Sequence, residues 1–390
     1  MSACTRRHFL LNTAIVAASA PLLSRAADQR QWKAAIIGHT GAGDYGHGMD
    51  VLFQGRPNIQ VVAVADAHEG GRARVAKASG ALRQYADYRQ MLEKEKPELV
   101  SIGPRWTLEH HAMGMAALQA GAHFFIEKPF VHVLAEADEM LAEATKRKRK
   151  CVVAHQMRLV PSLVFLKQQI VGGLIGDIIE VNTFGKMDAR AGGEDMMVLG
   201  SHVFDLIRFF AGDPLWCTAR IREQGREATL KDAKESRGEK IGPLLGDEIH
   251  AQFGLPNGAL ATFTSSARLR SVSDGYGMTL TGTKGVVRLR AGYTPLVQLR
   301  KRDGAVDAWA RLPEDPLLKV AAGGNVMVEA NRRLVEDWLQ AIEQDREPVA
   351  SAFNAMKAIE MVMGVYHAGL SGRRVALPLV DRGHPLAAAK

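Results

Sequence analysis

Cysteine is nearly missing from this chain: there are three in 390 residues, with Cys4 near the N-terminus and Cys151 and Cys217 far apart. Two separated thiols make no disulfide framework and, without a paired motif, no zinc site; both read as small buried apolar residues. No H-E-x-x-H occurs, and the adjacent His110 and His111 cannot both face one ion from a helix, so no metal is expected. Beyond residue 27 no stretch approaches the roughly 18 consecutive apolar residues that a membrane helix needs. Charge of one sign is also weak, the formal net charge of +8 being spread along the sequence. With no aromatic-interleaved basic patch and no helix-turn-helix pattern, it gives no footing for a nucleic-acid partner and reads as solubility, with some preference for anionic ligands. What remains is an ordinary globular composition, 47% hydrophobic and 24% charged, in a chain long enough for about two domains.

Residues 1–27 read as a targeting segment and are set aside from fold reasoning. Thr5-Arg6-Arg7-His8-Phe9-Leu10 places two arginines before an apolar run from Phe9 to Leu23, and Ser24-Arg25-Ala26 brings small residues to a cleavage point. The Arg pair, the modest hydrophobicity of a run holding Thr13, Ser19 and Pro21, and Arg25 near the cut resemble a twin-arginine signal rather than an ordinary secretory one. That resemblance implies the twin-arginine export machinery as a partner and a periplasmic location. Substrates of this route cross the membrane folded, often with cofactor in place, so a cofactor used outside must be held tightly.

Lys33 to Ile37 reads as a strand running into Gly38-His39-Thr40-Gly41-Ala42-Gly43-Asp44-Tyr45-Gly46. Strands follow at 59–65, 99–102, 123–126 and 151–154, alternating with helices at 70–80, 87–95, 110–120 and 135–148. That rhythm predicts right-handed βαβ units in an α/β Rossmann domain with a parallel sheet, over residues 33–150. From 151 to 380 the pattern predicts an α+β domain with a large, mostly antiparallel open sheet: strands at 178–184, 247–254, 258–266, 276–282, 285–290 and 296–301. Helices are expected at 161–172, 200–212, 326–345 and 353–370, and the charged stretch 222–240 as a solvated loop.

A G-x-G-x-x-G alone is weak, but here a strand precedes Gly41-x-Gly43-x-x-Gly46, and Asp66 ends the next strand about 20 residues on, as a dinucleotide fingerprint requires. Glycines let the backbone approach a pyrophosphate, and the amino end of the expected next helix offers N–H groups to it. Asp66 would accept hydrogen bonds from ribose hydroxyls and repel a 2′-phosphate, favouring NAD; Arg72 and Arg74 leave NADP open. The register is ambiguous: counted from Gly38, Thr40 falls where a second glycine is expected.

Taken in order, Ile36-Ile37-Gly38, His110 ahead of Gly121, Glu127-Lys128-Pro129, Arg158 with Pro161, Gly176-Asp177-Ile178, His202-x-x-Asp205 and Val375-Ala376-Leu377-Pro378-Leu379 resemble the Gfo/Idh/MocA oxidoreductases along nearly the whole mature chain. With the leader, the layout is similar to the exported glucose–fructose oxidoreductase type. The resemblance implies that Lys128 lies beside the nicotinamide and the substrate hydroxyl, that His202 contacts that hydroxyl, and that Glu127 orients Lys128 or the nicotinamide amide. A lysine beside a cofactor that becomes cationic should have its pKa lowered, which suits proton transfer. His155, Arg158 and Asp205 are candidate substrate residues. One departure stands out: dehydrogenases of the family carry an Asp one helical turn before the His, where this chain has Val198, with Asp195 as a substitute from the preceding loop.

The expectation is a periplasmic NAD(P)-dependent oxidoreductase acting on a sugar or polyol hydroxyl, its cofactor tightly bound and recycled within the site. An NAD-dependent glycoside hydrolase or lyase working through a transient keto-sugar is the rival, since such enzymes of the superfamily also lack that Asp. A non-catalytic exported binding protein is the third reading. An open sheet whose face needs burying suggests a homo-oligomer.

Overall fold

The computed structural model describes residues 30–387, apart from 237, 271–275, 303–304, 306–307, 318 and 321–323. The twin-arginine pattern, with Arg6 and Arg7, lies outside the described residues. Six strands, β1 (Trp32–Ile37), β2 (Ile59–Ala65), β3 (Arg83–Tyr85), β4 (Leu99–Ile102), β5 (His123–Ile126) and β6 (Cys151–Val153), form a parallel sheet in the order β3-β2-β1-β4-β5-β6. All but the short edge strand β3 are almost wholly buried, as strands covered by helices on both faces must be. Helices α1 (Glu69–Ser79), α2 (Tyr88–Glu95), α3 (Thr107–Gln119) and α4 (Leu134–Arg147) supply that cover. His68 caps α1 by accepting from Gly71 N at 3.0 Å, and Asp87 caps α2 by accepting from Arg89 N at 2.8 Å. The strand order reverses between β1 and β4, and the crevice at that switch point is where an open α/β sheet binds ligands.

No α-helix follows the glycine-rich turn. Met49–Val51 makes one 3₁₀ turn before the chain returns to β2, correcting the expected helix amino end as a phosphate cradle. Glycines at 41, 43, 46, 48 and 55 and Pro57 remove too much helix propensity from this short connection for a helix to form.

The second domain begins with α5 (Pro161–Val171) and β7 (Ile178–Phe184). A single turn α6 (Gly193–Asp195) and a π-helical turn (Met196–Gly200) lead into α7 (Ser201–Ala211). The ten-stranded sheet runs β17-β16-β15-β14-β7-β13-β12-β8-β18, with β9 paired to β8. Its members are β8 (Trp216–Glu223), β9 (Arg226–Glu227), β12 (Glu248–Gly254), β13 (Leu260–Ser266), β14 (Gly277–Gly282), β15 (Gly285–Arg290), β16 (Leu296–Lys301), β17 (Ala310–Arg311) and β18 (Val375–Ala376) beside β7. Among the described residues of this sheet only β7 and β13 pair in parallel. Phe253 and Phe263 on its inner face pack edge-on against Phe204 of α7.

Two expectations are revised. The charged stretch 222–240 is not a solvated loop throughout: β9 folds back on β8, Arg226 pairs with Asp232 and Lys234 with Glu223 at 2.5 and 2.8 Å, and β10 (Lys234–Glu235) pairs with β11 (Pro243–Leu244). Ion pairs hold these turns, and charged residues show no hydrophobic alternation to read. The helix α8 (Val326–Glu343) follows the second sheet in sequence yet packs on the first: Leu334, Val335 and Trp338 share a core with Trp32, Ile36 and Phe125. Trp338 Nε1 donates to Lys150 O at 3.0 Å, and Asn331 Nδ2 to His47 O at 2.8 Å. Helix α9 (Ala352–Ser371), capped by Ser351, then runs beneath β8. Among the described residues no helix is long and apolar enough to cross a membrane.

Candidate active site

The turn after β1 is held by its own backbone: Ala42 N and Asp44 N both donate to His39 O at 2.9 Å. Gly43 has φ +92°, and a Cβ there would lie 2.6 Å from Arg105 N in the loop after β4. Gly46 has φ +52°, and its Cβ would meet Glu127 Cγ at 2.5 Å and Gly103 O at 2.7 Å. The structure resolves the register. Gly38 follows β1 directly and lies against the Tyr45 ring, while Thr40 turns aside and donates to Asp66 from Oγ1 at 2.6 Å and from N at 3.1 Å. Burial pushes the Asp66 carboxyl pKa up, but donors from Thr40 and His68 N outweigh it and hold the group below the usual range.

Beside Asp66 opens a cleft of about 390 Å³ lined by Gly38, Ala67, Ala86, Leu108 and Met113. Apolar walls, with the Asp66 carboxylate at one side and the polar side chains of His39, Asp87, Arg89 and Glu109 also on the lining, suit a nucleoside. Arg72 spends Nη1 on the Asp66 carbonyl at 2.6 Å, and Arg74 lies 3.4 Å from Asp50. Gly46→Ala is expected to displace Glu127 and weaken NADH affinity by about tenfold or more, since a left-handed residue and a backbone contact are both violated. Titration of NADH fluorescence checks it, and unchanged affinity would refute the packing.

Lys128 follows β5 and is buried; Nζ donates to Val198 O at 3.3 Å in the π-helical turn. Burial pushes its pKa below the ordinary 10.5, against the opposing pull of Glu127 and Glu239. Glu127 is itself pinned: Lys128 N donates to Oε2 at 2.5 Å, His47 N donates to Oε1 at 2.9 Å, and the His47 ring bonds the same oxygen. His202 sits in the first turn of α7, its ring 5.3 Å from that of His155. Among the described residues His202 Nδ1 and His155 Nε2 are buried without a hydrogen-bond partner. Burial keeps His202 neutral, pushing its pKa well down, and Lys128 adds to that effect. A buried lysine amine and two idle imidazole nitrogens in one cluster are what a polar ligand would satisfy. His110 joins the loops around them, Nδ1 lying 2.8 Å from Phe130 O and Nε2 2.6 Å from Pro104 O.

Residues 32–155 match the oxidoreductase family with an NAD-binding Rossmann fold, and residues 167–377 match that family's C-terminal alpha/beta domain. The chain belongs to the Gfo/Idh/MocA oxidoreductases. As in the family, the first domain is an NAD-binding Rossmann domain, and the groove beside Asp66 fits that cofactor. The chain is 24% identical over 369 residues to a D-apiose dehydrogenase of Paraburkholderia graminis, covering 91% of this chain and 92% of that one. Its fold is similar to that of a levoglucosan dehydrogenase in complex with NADH and levoglucosan, at TM-score 0.71 and 18% identity over 90% of this chain and all of the other. It is also similar to an aldose-aldose oxidoreductase of Caulobacter crescentus complexed with glycerol, at TM-score 0.68 and 18% identity over 89% of this chain and 100% of that one.

Within this Gfo/Idh/MocA site the structure brings Lys128, Glu127, His202 and His155 together, but it gives two acidic residues other duties. Asp195 does not replace a carboxylate at 198. It accepts from Lys186 N and Met187 N at 3.1 and 3.0 Å and from Ser265 Oγ at 2.6 Å, folding its own loop. Asp205 takes a bidentate bond from Arg158, 2.7 Å to Nε and 2.8 Å to Nη2, so both candidate substrate residues are engaged with each other. His155 Nδ1 lies 3.5 Å from the same carboxylate, which leaves its Nε2 free. Several neighbours carried no sequence signal: His47, Arg105, Arg190, Glu239, and Tyr276, whose hydroxyl lies 3.8 Å from Met157 Sδ. Among the described residues no group of three or more His, Cys, Asp or Glu could hold a metal ion.

Proposed function

We propose that this protein is an exported NAD-dependent oxidoreductase of a sugar or polyol hydroxyl, with its cofactor resident and recycled in place. The observation that carries the chemistry is the buried cluster of the Lys128 amine, His202 Nδ1 and His155 Nε2, three polar groups held by a single protein hydrogen bond. When bound, the nicotinamide supplies hydride acceptance and return at the carbinol carbon. Lys128, its neutral form favoured because burial lowers its pKa, takes the hydroxyl proton; neutral His202 holds the hydroxyl oxygen through an N–H; Glu127 fixes the Lys128 backbone and His47 at the glycine turn. Asp66 binds the adenosine ribose and disfavours a 2′-phosphate.

The relatives named for D-apiose and levoglucosan support a carbohydrate substrate, and the Arg6-Arg7 pattern supports export through the twin-arginine route to the periplasm. Phe184 and Leu260, exposed on the uncovered sheet face, support assembly of copies through that face.

The test is to purify the mature protein without added nucleotide, denature it, and identify what is released. Roughly one equivalent of NAD(H) per chain is expected, as a tightly held cofactor requires. Intact protein is then incubated with aldoses and glycosides. Keto-sugar paired with reduced sugar supports the reading, whereas aglycone release without net NADH assigns the site to a glycosidase instead. An empty protein with no affinity for either nicotinamide coenzyme overturns it.

A further inference from the structure

Sugar hydroxyls are commonly held by carboxylates, because one ionised carboxylate can accept from two neighbouring hydroxyls with charge-assisted bonds. Around Lys128 most of the acidic side chains are already committed. Glu127 is held by His47 and Lys128 N, Asp195 by two backbone N–H groups and Ser265, and Asp205 by Arg158. Asp188 is held by Arg190 at 2.6 Å, and Glu194 accepts from Ser236 Oγ at 2.9 Å.

Glu239 is the exception. It sits on the tip of the β10–β11 hairpin, which leaves the second domain and lands on the first. Lys240 O accepts from Thr107 Oγ1 at 3.2 Å and from Leu108 N at 3.4 Å, at the start of α3. Ile241 is buried, and Gly242 (φ +84°) has His132 Cβ at 3.0 Å from where its own Cβ would be. On the other side Glu239 N donates to Ser236 Oγ at 3.2 Å. The tip is therefore anchored before and after Glu239. Its carboxylate lies 3.8 Å from Arg105 Nη1, too long for a hydrogen bond. Arg105 N donates to Gly43 O at 3.0 Å, so this pair stands at the lip of the cofactor turn. Glu239 is also, after Glu127, the strongest negative neighbour of Lys128, with Arg190 and Arg105 opposing it. Its side chain keeps 19% of its surface open.

We propose that Glu239, delivered by this interdomain strap, accepts hydrogen bonds from hydroxyls of the sugar and so selects the substrate. The inference rests on the reading of the site as a sugar oxidoreductase. At 3.8 Å from the guanidinium this carboxylate is not spent on a hydrogen bond to it and keeps its lone pairs for a ligand. Being on the strap, it also makes sugar selection depend on the contact between the two domains.

The test compares wild type, Glu239→Gln and Glu239→Asp of the NAD-loaded enzyme, with methyl β-D-glucopyranoside and its monodeoxy derivatives as probes. Expected for Glu239→Gln is a loss of about ten- to a hundredfold in kcat/KM, carried by KM, because one charge-assisted bond is removed. NADH affinity should move less than about twofold, since the hydroxyl contact is not a cofactor contact. Wild type should reject one deoxy sugar by about tenfold or more, and Glu239→Gln should lose that discrimination, because the unpaired carboxylate is what penalises a missing hydroxyl. Glu239→Asp should recover part of it. Unchanged KM, or unchanged deoxy discrimination, in a Gln variant that still binds NADH overturns the proposal and leaves the sugar reading standing. No wild-type turnover of the glucoside, of levoglucosan or of D-apiose in NADH-binding protein overturns both.

Discussion

Lys128→Met should lower turnover by about a hundred- to ten-thousandfold, the range seen when a positioned acid–base group is removed, while NADH binding is retained. Methionine keeps the length and apolar stem of the side chain, and the site loses one hydrogen bond, to Val198 O. Steady-state kinetics beside NADH fluorescence titration measures the two effects separately. The wild-type pH profile gives an independent check. In the direction of hydroxyl oxidation Lys128 must be neutral, so kcat/KM should rise with pH through the Lys128 pKa and level off below the ordinary lysine value of 10.5. In the direction of carbonyl reduction the ammonium is the proton donor, and the rate should fall over the same range. His202, kept neutral by burial, should add no limb around neutrality. A limb centred at the ordinary lysine value, or unaltered turnover in Lys128→Met, would remove Lys128 from the chemistry.

Asp205→Asn should destabilise the protein by about 3–5 kcal/mol, the cost of leaving a buried charge without its partner. The amide cannot serve the Arg158 guanidinium at both oxygens, and it also faces Arg208 at 3.8 Å and His155. Thermal unfolding of wild type, Asp205→Asn and the double variant Asp205→Leu with Arg158→Met separates the explanations. The double variant should recover most of the loss, because apolar replacement of both partners avoids the stranded charge. Although burial opposes it, the Arg158 charge lowers the Asp205 pKa below its ordinary 3.8. Its contribution is therefore fully present above that value and fades as the pH falls below it; the Asn variant should lack this part of the acid sensitivity. If Asp205→Asn instead melted like wild type and lost only sugar affinity, the carboxylate would be the substrate ligand that the family resemblance made a candidate.

Much of the candidate site was legible because its signals are local. Asp66 ends a strand, Lys128 follows one, and His202 enters an apolar helix; strand runs and glycine turns are short-range patterns that survive in one dimension. What stayed hidden involves partners distant in sequence. His47 meets Glu127 across 80 positions, and Asn331 reaches the same turn across 284. Nothing in a histidine amid glycines marks it as the partner of a particular glutamate. Thr40 was misleading for a related reason. It occupies a position where a glycine was expected, yet its hydroxyl faces Asp66 rather than the turn.

From the chain alone came the two-domain order, the parallel and antiparallel sheets and the glycine turn with its acid, since hydrophobic period and backbone freedom are properties of neighbouring residues; Lys128 was singled out by the family resemblance. Tertiary structure alone decided that Asp195 folds its own loop, that Arg158 consumes Asp205, that α8 belongs to the first core, and that a charged hairpin brings Glu239 to the lip of the site. A buried charge is defined by whichever group reaches it through space, and the folded backbone alone sets that distance.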